Sequence, residues 1–393
     1  MKTIRAFLKR YTIFQLLLNS TIVFSRYLTS CMAGLFPMKC SCVLLQAYEG
    51  RQFSCNPKYI ANYLISHSRL NVVLSLKNPD KYSHLKELGF NIVKSGSLKY
   101  YYYYMTSKVL ICNDFLPLFI GNRMGQVTIN TWHGGGAYKK VGISLSKNKY
   151  YTQRYLWQHR VNYMISSCKE FSKLASEAFQ ISEYNMLPIG MPRNDILVHS
   201  KSKEEITNKV KKAYSIPVDK KIVLYAPTYR ESFKNSLYGL DFETVLVTLK
   251  EKFGGEWIFF FRGHYFLVDS SQFKDDCFIN VSDYDDMQEL LCAADCLITD
   301  YSSSVWDFSL TFKPCFLYAT DLDEYKKEID FYYPIERWPF PLAQNNQELF
   351  HNILNYDALN YHKAVEEHQR ILGSYENGHA CEKIGKMIIE LCK

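Results

Sequence analysis

The sequence lacks the cysteine and histidine spacings that build a zinc site. Its 12 cysteines are scattered, and no two of them form a C-x-x-C pair. Cys40 and Cys42 are too close together for a zinc knuckle. Others, such as Cys112, Cys296 and Cys315, lie inside apolar runs, where a free thiol behaves as a small apolar side chain. Neither a disulfide framework nor a structural zinc is expected, and the pattern is typical of a reduced, cytosolic chain.

The sequence also lacks an uninterrupted apolar run of the roughly 20 residues that a membrane-spanning helix needs. Residues 1–30 come closest, because basic residues precede an apolar stretch that Gln15, Asn19 and two hydroxyl residues interrupt. A signal peptide shares this order, but the free cysteines argue against export. We expect residues 1–30 to form a basic amphipathic helix on an anionic membrane surface. A helix packed on the first domain is the alternative.

Charge of one sign is not concentrated in any part of the chain. Lys and Arg number 47 against 39 Asp and Glu, a net charge of +8 without a dense basic tract or a recognised nucleic-acid motif. A non-enzymatic membrane-surface or nucleic-acid binding protein is therefore disfavoured, although the charge permits an anionic partner. We expect no nucleic-acid partner. Asp283, Asp285 and Asp286 are clustered but fit the start of a helix, so we expect no obligatory metal.

What the sequence does contain is a repeated alternation of short apolar runs and helical stretches, which is typical of parallel, doubly wound α/β sheets. A length of 393 residues suits two domains. The segment 187–195 holds two prolines and a glycine and predicts a boundary between them. We therefore predict a basic amphipathic segment at 1–30, a Rossmann-like domain at 31–195, and a second Rossmann-like domain with C-terminal helices at 196–393.

The alternation predicts the individual elements as well. The predicted strands are 43–45, 71–76, 91–93, 108–112, 126–131, 161–166, 221–225, 257–261, 277–281, 295–299 and 315–318. The predicted helices are 57–67, 82–88, 169–179, 201–214, 241–253, 286–293, 305–312, 347–356, 359–372 and 380–392.

The first half places a histidine at a strand end. The strand 126–131 leads through Trp132 into His133 and three glycines, the first two being Gly134 and Gly135. Ligands of open α/β sheets bind at the carboxyl ends of strands, and glycines let backbone N–H groups approach an anion closely. A lone histidine is more often structural, but this position favours a functional one. Lys139 follows and adds positive charge.

In the second half, three strand ends carry polar groups that should converge on one crevice. These groups are Thr228 with Arg230, Arg262 with His264, and Asp300 with Ser302 and Ser303. An arginine beside a histidine suits a diphosphate, because the guanidinium binds phosphate oxygens in a fork. The serines could cap the next helix and hold a phosphate with the same groups. A surface ion pair and an ordinary helix cap are the structural alternatives.

Six runs, in this order, resemble the CDP-glycerol glycerophosphotransferase family, the teichoic-acid type polymerases and primases of bacterial envelopes. The runs are TWHG at 131–134, GMPRNDIL at 190–197, YAPTYR at 225–230, RGH at 262–264, DCLITDYSSSVWD at 295–307, and Pro314 with Asp321 and Tyr325. The resemblance covers about residues 125 to 330. Many members have Trp-His-Gly-Thr-Pro-Leu-Lys; this chain is one residue longer there, so Lys139 and Lys140 both remain candidates for the family lysine.

The resemblance implies a GT-B architecture, in which two Rossmann-like domains face a cleft, with the acceptor on the side of the first domain and the CDP-polyol on the second. It implies transfer of a polyol phosphate from a CDP-polyol such as CDP-glycerol to a hydroxyl of a membrane-linked polyol-phosphate or glycan acceptor, with release of CMP. The reaction would take place at the cytoplasmic face of the membrane, with the donor substrate and no cofactor. His133 would be the base, and His264 with Arg262 would steady the transferring phosphate. A GT-B glycosyltransferase that uses a nucleotide sugar is the alternative.

Overall fold

The computed structural model describes residues 2–145, 149–199, 203–228, 239–263, 278–328 and 331–393. Its core is a pair of parallel sheets with seven and six strands, each covered by helices. The prediction of an α/β fold with two parallel sheets is confirmed. The first half of the chain carries the seven-stranded sheet, and the second half, from residue 203 on, carries the six-stranded sheet.

The first sheet has the strand order β3-β2-β1-β4-β5-β6-β7, and all of its pairs are parallel. Its strands are β1 (Lys39–Gln46), β2 (Asn71–Leu76), β3 (Asn91–Lys94), β4 (Ser107–Cys112), β5 (Val127–Asn130), β6 (Tyr163–Ser166) and β7 (Met186–Pro188). The central strand β1 contributes Val43, Leu44 and Leu45, which are buried because helices cover both faces of the sheet.

The second sheet has the strand order β10-β9-β8-β11-β12-β13 and is also parallel throughout. Its strands are β8 (Lys221–Ala226), β9 (Trp257–Phe261), β10 (Phe278–Asn280), β11 (Cys296–Thr299), β12 (Cys315–Tyr318) and β13 (Leu342–Ala343). In both sheets the strand order reverses beside the strand that starts the alternation, which is where α/β sheets open a ligand crevice.

The α-helices flank these sheets and the chain ends in a helical tail. They are α1 (Lys2–Ala33), α2 (Cys55–His67), α3 (Leu98–Thr106), α4 (Lys149–Gln158), α5 (Lys169–Phe179), α6 (Asp195–Val198), α7 (Lys203–Ala213), α8 (Phe242–Phe253), α9 (Met287–Ala293), α10 (Ser304–Ser309), α11 (Leu322–Glu328), α12 (Asn346–Leu354), α13 (Ala358–Leu372) and α14 (Ala380–Leu391). Local caps start several of them; the Asp241 carboxylate, for example, accepts a hydrogen bond from Thr244 N, at 3.0 Å, at the start of α8.

Every predicted strand overlaps an observed one. The segment 187–195, in which the sequence predicts the domain boundary, is ordered. It begins with β7 and continues as a short 3-10 helix, Pro192–Asn194, whose residues are all buried. The predicted helix 82–88 is instead a 3-10 helix at Pro79–Lys86. The segment with two prolines and a glycine is thus packed between the two halves.

A buried ion pair between the halves holds that segment in place. Arg193 Nε and Nη2 lie 3.1 and 2.8 Å from Asp307 Oδ2, and both residues are 3% exposed. Asn194 and Gln288 donate to the same carboxylate, at 2.9 and 2.8 Å. Burial works to lower the pKa of Arg193, but the Asp307 charge together with the interactions with Cys55 and Tyr48 outweighs it, and the pKa is raised. Since every neighbour of Asp307 donates, the carboxylate is the form that fits.

The C-terminal helices return to the first half. A Cβ atom on Gly385 of α14 would lie 2.2 Å from the Tyr63 ring of α2, so only glycine allows this approach. Lys169 N donates to Gly373 O at 2.8 Å, which ties the end of α13 to the start of α5. The predicted boundary at 195/196 remains a prediction, and the tail contacts both halves.

Replacing the buried carboxylate tests this junction. Asp307→Ala should lower the free energy of unfolding by about 3–5 kcal/mol, because it leaves the buried Arg193 without its counter-charge. The matched control is Glu367→Ala, which breaks the exposed pair with Arg370 (2.6 Å) and should leave the melting temperature nearly unchanged. Urea unfolding of both variants measures the effect, and equal midpoints for the two would contradict a stabilising junction.

Candidate functional site

Two loops predicted to form a site meet at the boundary between the halves. A Cβ atom on Gly134, after β5, would lie 3.5 Å from Ser303 Oγ, after β11. One on Gly135 would lie 2.2 Å from the Trp306 ring of α10. The carboxyl ends of the two sheets therefore face each other, as the strand-end pattern predicts. Gly135 is required for the contact between the halves, since no side chain fits there.

The His133 ring is fixed in one orientation. Its Nδ1 lies 2.7 Å from the carbonyl oxygen of Asn113, and the Trp132 ring stacks on it at 4.6 Å between centroids. A carbonyl oxygen can only accept a hydrogen bond, so Nδ1 carries the proton and Nε2 is the unprotonated nitrogen of the neutral ring. The side chain is exposed to solvent, although the surrounding protein is close enough to lower its pKa.

The backbone that presents His133 is strained and is held from several sides. Trp132 has a φ of +52°, which is unusual for a residue with a bulky side chain. Asn56 Nδ2 donates to the carbonyl oxygens of Thr131 and Trp132, both at 3.0 Å. Arg193 Nη1 donates to the His133 carbonyl oxygen at 2.8 Å. The arginine of the ion pair between the halves therefore also fixes the histidine.

The surroundings keep this imidazole neutral. Burial lowers the pKa of His133, the hydrogen bond to Asn113 works against it, and the positive charges of Arg193 and Lys139 add to the lowering. A neutral ring at neutral pH leaves Nε2 able to accept a proton. The geometry and the lowered pKa both leave Nε2 available to accept a proton.

A tyrosine that the sequence analysis missed lies beside His133. Tyr48, Glu49 and Gly50 follow β1 with φ values of +48°, +53° and +81°, and Tyr48 N donates a hydrogen bond to Asn113 Oδ1 at 2.8 Å. The Tyr48 ring is 5.8 Å from the His133 ring. Burial raises the pKa of Tyr48, while the charges of Arg193 and Arg262 oppose that rise. Tyr48 thus lies near His133 and within reach of the charges of Arg193 and Arg262. The only sequence signal for this loop is Gly50, which follows the strand β1.

Arg262 is positioned by the loop that follows β10. Its Nη1 donates to the carbonyl oxygens of Tyr284, at 2.5 Å, and Val281, at 3.4 Å. Its backbone N–H donates to Tyr225 O at 2.9 Å. Burial lowers the pKa of Arg262, but a guanidinium stays charged in proteins. A fixed positive charge therefore stands at the end of β9, where the sequence predicts it.

Asp300 is buried and hydrogen-bonded at the strand ends, and its predicted role in substrate binding stays a prediction. It is 2% exposed, and its carboxylate accepts from the backbone N–H groups of Thr228 (2.9 Å) and Tyr301 (2.5 Å) and from Thr228 Oγ1 (2.6 Å). These bonds tie the end of β8 to the end of β11. The structure favours a positioning role for Asp300, with Thr228 held at the strand end.

The two serines have different local roles. Ser302 Oγ accepts from Ser304 N at 3.3 Å and from Ser304 Oγ at 3.0 Å. Ser303 is the residue before α10, but its side chain makes no capping hydrogen bond. The cap prediction is wrong for Ser303, the N-cap residue, and Ser302 instead bonds Ser304, the first residue of the helix, from one position further out. The Ser303 hydroxyl instead faces Gly134 across the boundary.

The remaining predicted residues are only partly described. Lys139 Nζ lies 5.5 Å from the centre of the Tyr325 ring, and its backbone pairs with Phe331. Arg230 and His264 lie outside the described residues. Within the described ranges, no three His, Cys, Asp or Glu side chains are grouped so that they could hold a metal ion.

Comparison with known proteins identifies the family. A family model described as CDP-Glycerol:Poly(glycerophosphate) glycerophosphotransferase matches residues 28–390. The teichoic acid glycerol-phosphate transferase of Staphylococcus aureus is 29% identical over 388 residues, which are 95% of this chain and 99% of that protein. The teichoic acid poly(glycerol phosphate) polymerase of Bacillus spizizenii is 30% identical over 345 residues, 82% and 86% of the two chains. The polymerase of Staphylococcus epidermidis is 29% identical over 363 residues, 88% of this chain but only 50% of that protein.

Solved structures agree with these sequence matches. The structure of the wall teichoic acid polymerase TagF superposes with a TM-score of 0.80 and 27% sequence identity, and the match covers 98% of this chain and 97% of that one. This similarity confirms the predicted GT-B architecture of two Rossmann-like domains.

Proposed function

The chain belongs to the CDP-glycerol:poly(glycerophosphate) glycerophosphotransferase family and is therefore a transferase, and we propose that it moves glycerol phosphate from CDP-glycerol to an acceptor hydroxyl. The product would be a teichoic-acid or related capsule-type polymer or its primer, and the second product would be CMP. The observation that carries this proposal is the His133 ring, whose Nδ1 is held at 2.7 Å from Asn113 O. That contact leaves Nε2 as a proton acceptor in the cleft.

In the proposed reaction, the acceptor oxygen attacks the β-phosphorus of CDP-glycerol. His133 Nε2 takes the proton of the hydroxyl, a new phosphorus–oxygen bond forms, and the bond between the β-phosphorus and the bridging oxygen breaks. CMP leaves with the electron pair of that bond. The step needs a base on one side of the phosphorus and positive charge on the other.

Residues of the second half would supply that charge and the hydrogen-bond donors. Arg262 is oriented by Tyr284 O and suits a forked contact with diphosphate oxygens. The Ser303 hydroxyl, opposite Gly134, would donate to a further phosphate oxygen. The resemblance assigns Arg230 and His264 to the same task, and Lys139 adds charge on the side of His133. We propose no cofactor besides the donor.

We further propose that α1 lies on the cytoplasmic surface of the membrane, where a membrane-linked acceptor is available. Two of its polar residues face inward: Gln15 is 6% exposed, and Arg154 Nε donates to Asn19 Oδ1 at 2.9 Å. Several of its apolar residues face outward, with Leu17 and Phe24 63% and 66% exposed. The helix carries no acidic residue, which suits anionic lipid. No helix in the described part of the chain is both long and apolar enough to cross a bilayer.

The reaction and the base are tested together. Purified protein should release CMP from CDP-glycerol in the presence of an acceptor, and faster than it turns over CDP-ribitol or a nucleotide sugar. His133→Ala should lose about 10²- to 10⁴-fold in turnover, the usual cost of a positioned general base, and keep its melting temperature. Preferred turnover of a nucleotide sugar would replace the proposal with the glycosyltransferase alternative. Near wild-type turnover by the alanine variant would remove His133 from the chemistry.

The pH dependence follows from the lowered pKa of His133. The base must be unprotonated, so kcat/KM should stay level above neutral pH and fall only as the pH drops below about 6.5, the ordinary histidine value. An NMR titration of the His133 ring, with its signal assigned by its absence in His133→Ala, provides an independent value. A ring that titrates above pH 7 would be inconsistent with a base that is neutral at neutral pH.

The membrane proposal is tested by removing outward apolar groups only. Leu17→Ser, Phe24→Ser and Tyr27→Ser combined should abolish flotation with anionic vesicles, because they remove the apolar surface that would enter the membrane. The fold should be retained, because all three side chains are largely exposed. The control combines Val218→Ser, Val247→Ser and Leu359→Ser, which are equally exposed but lie elsewhere. The control should float as the wild type does. Unchanged flotation of the α1 variant would rule out α1 as the anchor.

A further inference from the structure

The loop that orients Arg262 is itself held by the first half. This 281–286 loop and the following helix α9 carry Asp285, Asp286 and Glu289. Lys58 Nζ, on α2, lies 2.5 Å from Asp286 Oδ2 and 2.8 Å from Glu289 Oε1. On the 3-10 helix of the first half, Tyr82 OH donates to Asp285 Oδ2 at 2.7 Å. The loop thus lies between Arg262 and the side chains of Lys58 and Tyr82, which are on helices of the first half.

The contacts on the Arg262 side are equally direct. Arg262 Nη1 donates to Tyr284 O at 2.5 Å, and Gly263 N donates to Ser282 Oγ at 2.9 Å. The Tyr284 hydroxyl in turn donates to Glu289, the carboxylate that Lys58 also contacts. Lys58 thus contacts Glu289, Glu289 contacts the Tyr284 side chain, and the Tyr284 main chain contacts the guanidinium.

The Lys58 contacts are too buried to be incidental surface pairs. The side chains of Lys58, Asp286 and Glu289 are 15%, 2% and 9% exposed. Burial works to raise the pKa of Glu289, but Lys58, Lys209 and the Tyr284 hydroxyl outweigh it and hold the pKa at about 2. Glu289 is therefore charged at all physiological pH values. Removal of Lys58 would leave buried carboxylates with fewer partners, so the loop would relax.

We propose that Lys58 and Tyr82 are positioning residues for Arg262. Through their contacts with the 281–286 loop and α9, these two residues of the first half fix the position of the Arg262 guanidinium, which binds the diphosphate of the donor. The inference rests on the proposed function for the role of Arg262, and it adds that the donor site is completed by residues of the first half. A nucleoside diphosphate ester is then bound well only when the two halves are docked.

The chain offers a control that uses the same carboxylate. Lys209, on α7 of the second half, lies 2.9 and 2.8 Å from the two oxygens of Glu289. Its replacement also removes one positive charge from Glu289, but the lost contact does not come from the first half. Lys58→Met and Lys209→Met therefore separate contact between the halves from the loss of a counter-charge at Glu289.

The first measurement is steady-state kinetics with CDP-glycerol. Lys58→Met should raise the donor KM about 5- to 30-fold, within the range of typical coupling energies, with kcat changed far less. Lys58→Arg should restore most of the affinity because it keeps the charge. Lys209→Met should stay within about twofold of the wild type, since the contact from the first half is intact. Tyr82→Phe, the mildest change to the fold, should raise the KM in the same direction.

A double-variant comparison shows whether the effect passes through Arg262. In an Arg262→Lys background, which has already lost the forked contact, Lys58→Met should raise the donor KM by no more than about twofold. Equal effects of Lys58→Met in both backgrounds would overturn the proposal. So would equal KM increases for Lys58→Met and Lys209→Met, because the loss of a counter-charge alone would then explain them.

The second measurement does not depend on turnover. Hydrogen–deuterium exchange at residues 281–286 should be faster in Lys58→Met than in either Lys209→Met or the wild type. Wild-type exchange in Lys58→Met would overturn the proposal whatever the substrate is. If the wild type fails to turn over CDP-glycerol while the exchange difference is present, the proposed function fails and the positioning of the loop stands.

Discussion

The arrangement of the molecule depends on one buried ion pair, Arg193 with Asp307. Buried ion pairs contribute little net stability, because desolvation of both charges offsets their attraction. Their geometric requirement is strict, however, and this pair fixes how the two sheets face each other. Arg193 also donates to the His133 carbonyl oxygen, at 2.8 Å. The ion pair that orients the two halves therefore also fixes the backbone position of His133, the candidate base.

The glycines after His133 also allow the two halves to pack closely against each other. Gly135 leaves room for Trp306 and Asp307 of α10, where a Cβ atom would lie 2.2 Å from the ring and 2.9 Å from the carboxylate. The sequence suggested that these glycines expose backbone N–H groups to an anion. The structure adds a packing reason, which applies whether or not a ligand is bound. Gly134, nearest to Ser303, is the glycine whose backbone remains at the cleft.

Local pattern was enough to predict eleven of the thirteen described strands and the positions of His133 and Arg262, because apolar runs mark buried strands and ligands collect at strand ends. The short strands β7 and β13 were missed. It could not predict Tyr48 or Asn113, since Asn113 acts on His133 through a main-chain carbonyl that every residue possesses. Arg193 and Asp307 stood inside the runs that carried the family resemblance. Their pairing across more than a hundred residues leaves no periodic signal, so the sequence could not predict it.

The hydrogen bond from His133 to Asn113 restricts what happens after the chemical step. Once Nε2 has taken a proton, the imidazolium cannot pass its other proton onward, because the carbonyl oxygen at 2.7 Å is a very weak base. Nδ1 therefore offers no route by which a proton could leave the ring. The proton taken up at Nε2 must leave from Nε2, to water or to the departing nucleotide. In the proposed reaction, each round of transfer would therefore require the cleft to exchange its contents before the next acceptor is activated.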